Sequence, residues 1–221
     1  MKTRRLSILN NQIIRCKKCP RLVVYTRKVA IEKVKRYRQE KYWGKPLSGF
    51  GDPKARLLII GLAPAAHGGN RTGRMFTGDS SGDWVARVLY ENGFATKPTS
   101  IHTKDGFALV DAYITAVVKC ALPDNKPTKK EINTCTNYLR QEILLLQNVK
   151  VIICLGKIAF DALKQILGIK NQKFFHGNSF AHKNMIILAS YHPSRQNTQT
   201  GRLTWNQWNH IFDTTRTMLD K

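Results

Sequence analysis

A few residues carry most of the chemistry open to this chain of 221 residues: four cysteines, an aspartate, a histidine and a phenylalanine. Cys16 and Cys19 form a C-x2-C pair directly before Pro20, while Cys120 and Cys135 stand fourteen residues apart around a loop and the helix expected after it. Four thiolates suit either zinc or an iron–sulfur cluster, and the wide second spacing is unlike a tight zinc knuckle. Cys154 lies inside the apolar run Val151–Leu155, where a buried apolar role is expected instead of ligation. A disulfide framework is not expected in an intracellular chain of this kind.

The segment 61–79, GLAPAAHGGNRTGRMFTGD, is the strongest candidate for a ligand site. It follows the apolar run 56–60, which reads as a buried strand. A strand that ends in a loop rich in glycine brings backbone amides close to a ligand. Phe76 offers the same loop a surface for a flat ring, and Asp79 a carboxylate. Asp79, like Asp83, could also cap the helix that follows.

Stepping from residues to elements, four apolar segments read as strands: 56–61, 112–118, 150–155 and 185–190. Helices are expected near 82–92, 129–147, 157–167 and 204–219. Strands alternating with helices predict a parallel sheet covered on both faces. Ligands of such sheets bind beyond the carboxyl ends of the strands. The 61–79 loop, the segment 119–127, Leu155-Gly156-Lys157 and the stretch Ser190-Tyr191-His192-Pro193-Ser194 all fall at that one edge.

Charge narrows the partner. Lys and Arg number 37 against 14 Asp and Glu, a formal net charge of +23. Such an excess favours a polyanion, because neutralising phosphates releases condensed counterions. No segment approaches 18 apolar residues and no secretory signal is visible at MKTRRLSILN, so an anionic membrane is the weaker expectation. The segment to about residue 42 is strongly basic and reads as helical. Arg27, Lys28, Lys33, Lys35, Arg36, Arg38 and Lys41 there suit either a solvated face or a phosphate-contacting arm.

With these motifs in order, the chain resembles the family 5 (b-type) uracil-DNA glycosylases. GLAPAAHGGNRTGRMFTGD, ITAVVKCALPDNKPT, VIICLGKIAFDAL and ASYHPSRQNTQTGRLT carry the resemblance, which runs from Cys16 to about Trp208. It implies a three-layer α/β/α sandwich around a central four-stranded parallel sheet, in one domain spanning 1–221. Within that domain, segment 1–45 is a basic helical piece bearing two cluster cysteines. It also implies a [4Fe-4S] cluster on Cys16, Cys19, Cys120 and Cys135. The implied reaction is excision of uracil, and of other deaminated bases such as hypoxanthine, from DNA. The expected setting is a monomer in the cytoplasm of a thermophilic archaeon or bacterium, nucleoid-associated and in contact with replication-clamp or repair proteins.

By the same resemblance, Phe76 stacks on an extruded base and His192 donates to its carbonyl. Ala63 and Ala116 stand where related branches place polar residues, which leaves the water-positioning role vacant. Asp79 is the expected replacement, with Asp83 and Asp124 behind it. Asn125 is expected as a secondary base contact; His67, Asn70 and Arg71 are expected to line the pocket or its phosphate rim. After His192, the residues Arg195, Gln196, Asn197, Arg202 and Leu203 are expected at the DNA, Leu203 as an apolar wedge. Two rival readings remain at this level. One is a metal-stabilised nucleic-acid-binding module without catalysis. The other is a nucleotide hydrolase, which lacks the lysine that a Walker-type loop needs after its glycines.

Overall fold

A computed structural model describes residues 2–220. Six strands form one sheet: β1 (Phe50–Gly51), β2 (Leu57–Gly61), β3 (Ala112–Ala116), β4 (Val151–Leu155), β5 (Ser179–His182) and β6 (Met185–Ser190). Their order is β1-β3-β2-β4-β6-β5. The four inner strands pair in parallel, and β1 and β5 add antiparallel edges. The four parallel strands are those expected from the apolar runs; the two edges were not expected. β1 has only two residues, and β5 alternates exposed and half-buried positions, so neither carries a continuous apolar signal.

Residues on each strand divide by parity between two cores, as the pleat requires. Leu58, Ile60, Ile152, Cys154, Ile187 and Ala189 face one layer, which holds α1 (Lys2–Ile14), α5 (Lys129–Leu145) and α6 (Lys157–Leu167). Leu57, Ile59, Ile114, Ile153 and Leu188 face the other, with α4 (Ser80–Glu91) and α8 (Trp205–Leu219). The sandwich therefore has three layers. Cys154 lies fully buried in the first core, away from solvent.

The basic N-terminal segment is not one helix. It divides into α1 and α2 (Pro20–Glu32), with Cys16 and Cys19 in the joint. Lys33 takes a positive φ of 51° and ends α2, leaving 33–42 as a short 3-10 turn and irregular chain. α2 docks on α5 through Arg21, whose Nε and Nη2 donate to the two carboxylate oxygens of Glu131 at 2.8 and 2.7 Å. Glu131 completes a capping box with Thr128 at the start of α5. The Arg21 guanidinium pulls the Glu131 carboxyl down to about 2.

Beneath this layer lies a buried ion pair. Lys119 Nζ donates to Glu142 Oε2 at 2.6 Å and to Thr115 Oγ1, with both charged side chains at most 1% exposed.

Candidate active site

Chain order makes β2 the switch point of the sheet: the next strand, β3, lies on one side of it and β4 on the other. The loops after β2 and β4 diverge there and leave a crevice at the carboxyl edge. The 61–79 loop, with the short α3 (Gly69–Thr72) inside it, forms one wall. The turn after β6 forms the other, leading into α7 (Arg195–Gln199).

Phe76 sits at the floor of this crevice in a positive-φ conformation (48°), which a bulky residue adopts only where its surroundings impose it. Its ring lies over Gly61 at the end of β2. A methyl group placed on Gly61 would meet the ring at 2.8–2.9 Å, so glycine is needed there for the ring to reach the sheet edge. The opposite contact is His192, with ring centroids 5.8 Å apart and planes inclined by 32°. Aromatic and imidazole thus come together from two loops 116 positions apart in the chain.

His192 keeps a narrow solvent-facing edge while protein packs around the ring. That burial lowers its pKa to about 4, so the imidazole is neutral at physiological pH. The backbone of this turn is fixed: Asn197 Nδ2 and the Ser194 N–H both donate to the His192 carbonyl at 2.8 Å.

Asp79 is the N-cap of α4, and its Oδ1 accepts the Gly82 N–H at 2.9 Å. Burial lifts its carboxyl above the usual carboxylate range, against the pull of the Gly82 and Ser81 amides. Its other oxygen, Oδ2, lies directly against Gly68, where any side-chain carbon would overlap it. Arg195 Nε donates to Ser80 Oγ at 3.2 Å and so clasps the His192 turn to the cap that carries Asp79.

Other expected residues fall elsewhere. Arg71 is no phosphate rim: it is buried, donating to His67 O, Glu40 Oε2 and Gly78 O while stacking 3.8 Å from the Tyr37 ring. The guanidinium pins the loop from behind. His67 turns to Tyr42, with its Nδ1 3.1 Å from the Tyr42 hydroxyl, and burial lowers its pKa. Asn70 is fully buried and donates to Thr26 O at 3.2 Å, so it ties the loop to α2 instead of lining the crevice. Leu203 is 0% exposed in the core beside Trp208, so it has no surface to offer as a wedge between bases. Arg195, Gln196 and Arg202 are exposed, Arg202 lying 4.6 Å over Tyr191. Asn197 spends its amide on His192. Ala63 is half-buried against the α1/α5 core; Asn125 and Asp124 are exposed in a turn where both have positive φ. Asp83 is exposed in the first turn of α4.

The sequence reading missed Gly68, Gly61 and the second loop arginine. Arg74 is buried and donates to Thr77, Ser100 and Asp105, fixing the loop's centre. The doubled glycine at 68–69 was the available signal, since paired glycines in a loop mark a close approach.

Cys16, Cys19, Cys120 and Cys135 gather where the α1–α2 joint meets the loop after β3 and α5. None is in a disulfide. Burial first, and then the neighbouring cysteines, raise the Cys19 and Cys120 thiols. Burial likewise pushes Cys135 to about 11, although the Lys119 backbone and charge oppose it. The thiols are near enough to feel one another. Yet among the described residues no three His, Cys, Asp or Glu side chains converge tightly enough to grip one metal ion. No helix there is long and apolar enough to cross a membrane.

Comparison with known proteins agrees with this geometry. The model of the uracil DNA glycosylase superfamily matches residues 48–214. A type-5 uracil-DNA glycosylase of Thermus thermophilus is 47% identical over 192 residues, covering 86% of this chain and 87% of its own. One of Pyrobaculum aerophilum is 43% identical, covering 88% and 84%, and one of Mycobacterium leprae 43%, covering 92% and 91%. A type-4 uracil-DNA glycosylase of Pyrobaculum aerophilum is more distant, 29% identical over 161 residues. With its sheet-edge crevice and such relatives along most of its length, the chain belongs to the uracil DNA glycosylase superfamily, on the type-5 branch.

Proposed function

We propose that this protein excises uracil from DNA by hydrolysing the N-glycosidic bond, which leaves an abasic site for repair to continue. The observation that carries the reading is the meeting of Phe76 and neutral His192 at the carboxyl edge of the sheet, with half-buried Asp79 in the same loop as Phe76. A base inside a duplex is out of reach, so the nucleotide swings out and its base stacks on Phe76. Water oxygen bonds to the sugar C1′ while the C1′–N bond breaks and its electron pair leaves with the base. The sugar passes through a cationic state, and the base departs as an anion.

His192 donates an N–H to the base carbonyl that gains charge. A neutral imidazole suits this role because it brings no proton that must first be lost at pH 7. Asp79 places the water and faces the sugar cation. Its raised pKa strengthens the carboxylate form as a base. Arg195, Gln196 and Arg202 supply phosphate contacts along the rim. Asn125 reaches the base edge.

Cys16, Cys19, Cys120 and Cys135 would hold a [4Fe-4S] cluster. All four cysteines are free, and the raised pKa values of Cys19 and Cys120 register the cysteines around them, so the donor set is the all-cysteine one that such a cluster takes. Its service here is structural: it ties segment 1–45 to the rest of the domain. The test is a duplex carrying one uracil, incubated with the iron-loaded protein and scored for abasic sites by alkaline cleavage. Strand scission at the uracil is expected; no abasic site with fully loaded protein would overturn the reading.

A further inference from the structure

A cavity of about 500 Å³ opens beside the α1–α2 joint, with Cys16 in its lining. Four cations line it: Arg15 and Lys17, which flank Cys16, with Arg27 from α2 and Lys45 from the chain before β1. No acidic residue lines it among the described residues, and none of the four has an ion-pair partner there. Four cations around one hollow with no acidic neighbour give it a positive potential that attracts an anion.

A second observation points the same way. Thr26 also lines the cavity, is only 1% exposed, and its hydroxyl has no hydrogen-bond partner in the protein. A buried hydroxyl without a partner is destabilising, and a ligand oxygen that reached it would relieve that cost. The backbone at Gly44 adds a wall with no side chain.

The cavity is stitched to the catalytic loop. The Gly44 N–H donates to Asn70 O at 3.1 Å, the Trp43 N–H to Arg71 O at 2.9 Å, and Asn70 Nδ2 to Thr26 O at 3.2 Å. Asn70 and Arg71 belong to the loop that carries Phe76 and Asp79. We infer that this cavity is a phosphate subsite, in which Arg15, Lys17, Arg27 and Lys45 neutralise a phosphate group and the Thr26 hydroxyl orients it. As a contact to DNA backbone it rests on the proposed glycosylase reading, and it extends the protein's grip from the crevice rim to the N-terminal joint. A free phosphate compound would present the same oxygens.

Two arms test it. All four cations are exposed, so a variant carrying Arg15→Gln, Lys17→Gln, Arg27→Gln and Lys45→Gln is expected to fold; Thr26→Val provides a separate, nearly isosteric probe. In the first arm, affinity for a uracil-containing duplex is measured across a salt series. Loss of each phosphate contact is expected to make the slope of log K against log salt shallower by about 0.9. In the second arm, inorganic phosphate is titrated at constant ionic strength and the midpoint of thermal unfolding followed; wild type is expected to rise and both variants to rise less. A changed DNA slope identifies backbone phosphate as the occupant. A changed phosphate response with an unchanged DNA slope identifies a free phosphate compound. If neither differs from wild type, the subsite does not exist. Uracil excision is recorded alongside: loss of excision in wild type refutes the proposed function, whereas persistent excision with two unmoved arms refutes the subsite alone.

Discussion

Gly68→Ala is the most informative single substitution at this site, because it perturbs Asp79 without altering its chemistry. Gly68 has φ −101°, so the new side chain faces no left-handed strain, and its overlap with Asp79 is the direct effect on the site. The added carbon would stand 2.6 Å from the Asp79 Cγ and 3.0 Å from its Cβ, with Oδ2 nearer still. Ordinary contact begins near 3.4 Å, so Oδ2, at 1.6 Å, has to retreat by about 1.8 Å and Cγ by about 0.8 Å; a misplacement of about 1 Å already costs about 10²-fold in rate where a group must be held in a reactive geometry. Turning the side chain away also weakens the Oδ1 cap on the Gly82 N–H, a loss on the order of 1 kcal/mol of stability. Single-turnover excision with enzyme in excess reads the chemical step, and a separate binding measurement on the same duplex reads docking. The expected result is a rate reduced about 100-fold with DNA affinity nearly unchanged. A rate within threefold of wild type, in a variant shown to be folded, would refute the placement of Asp79 at the reacting sugar.

Further predictions concern the frame and the titrations. Lys119→Met leaves Glu142 charged, buried and unpaired, and is expected to cost about 3–5 kcal/mol in chemical denaturation; replacing both partners with apolar residues is expected to cost less. Cys135→Ser is expected to lose iron and lower the melting temperature. Cys154→Ala should retain the wild-type iron content, which metal analysis of the two purified proteins checks. In the pH profile of single-turnover excision, His192 stays neutral down to about 4, so it contributes no ionisation near neutrality. The rate is expected to fall as acid protonates Asp79, with the limb above the ordinary carboxylate value. A limb near the ordinary histidine value would contradict the neutral imidazole.

Much of the scaffold was legible because the four parallel strands are buried on both faces, so each is a continuous apolar run. Edge strands leave no such trace. Two residues at 50–51 are too few, and Ser179–His182 alternates too briefly to stand out from the turns around it. The N-terminal segment reads as helical from composition alone, whereas in the structure Pro20 opens a second helix after the Cys16–Cys19 break and Lys33 ends it with a positive φ. The loops that carry Phe76 and His192 each follow a predicted strand, so their meeting at one edge of the sheet could be expected. The sequence could not say which polar residues face inward. Arg71 and Asn70 look like ligands for phosphate and turn out to brace the loop, since a buried guanidinium can satisfy several carbonyls and a carboxylate at once. Leu203 likewise belongs to a core that only the packing of α8 reveals.

Stability offers a signature of the same carboxylate. Burial raises the Asp79 pKa above its unfolded value, so its charge costs stability at pH values above the raised pKa and the cost disappears below it. Asn caps a helix about as well as Asp without the charge. Asp79→Asn is therefore expected to melt at or above wild type at neutral pH, an advantage that shrinks as the pH falls. The central claim meets its most direct test in the chemistry of that variant. Single-turnover excision of uracil by Asp79→Asn is expected to slow by orders of magnitude at unchanged DNA affinity, whereas excision at the wild-type rate would contradict it.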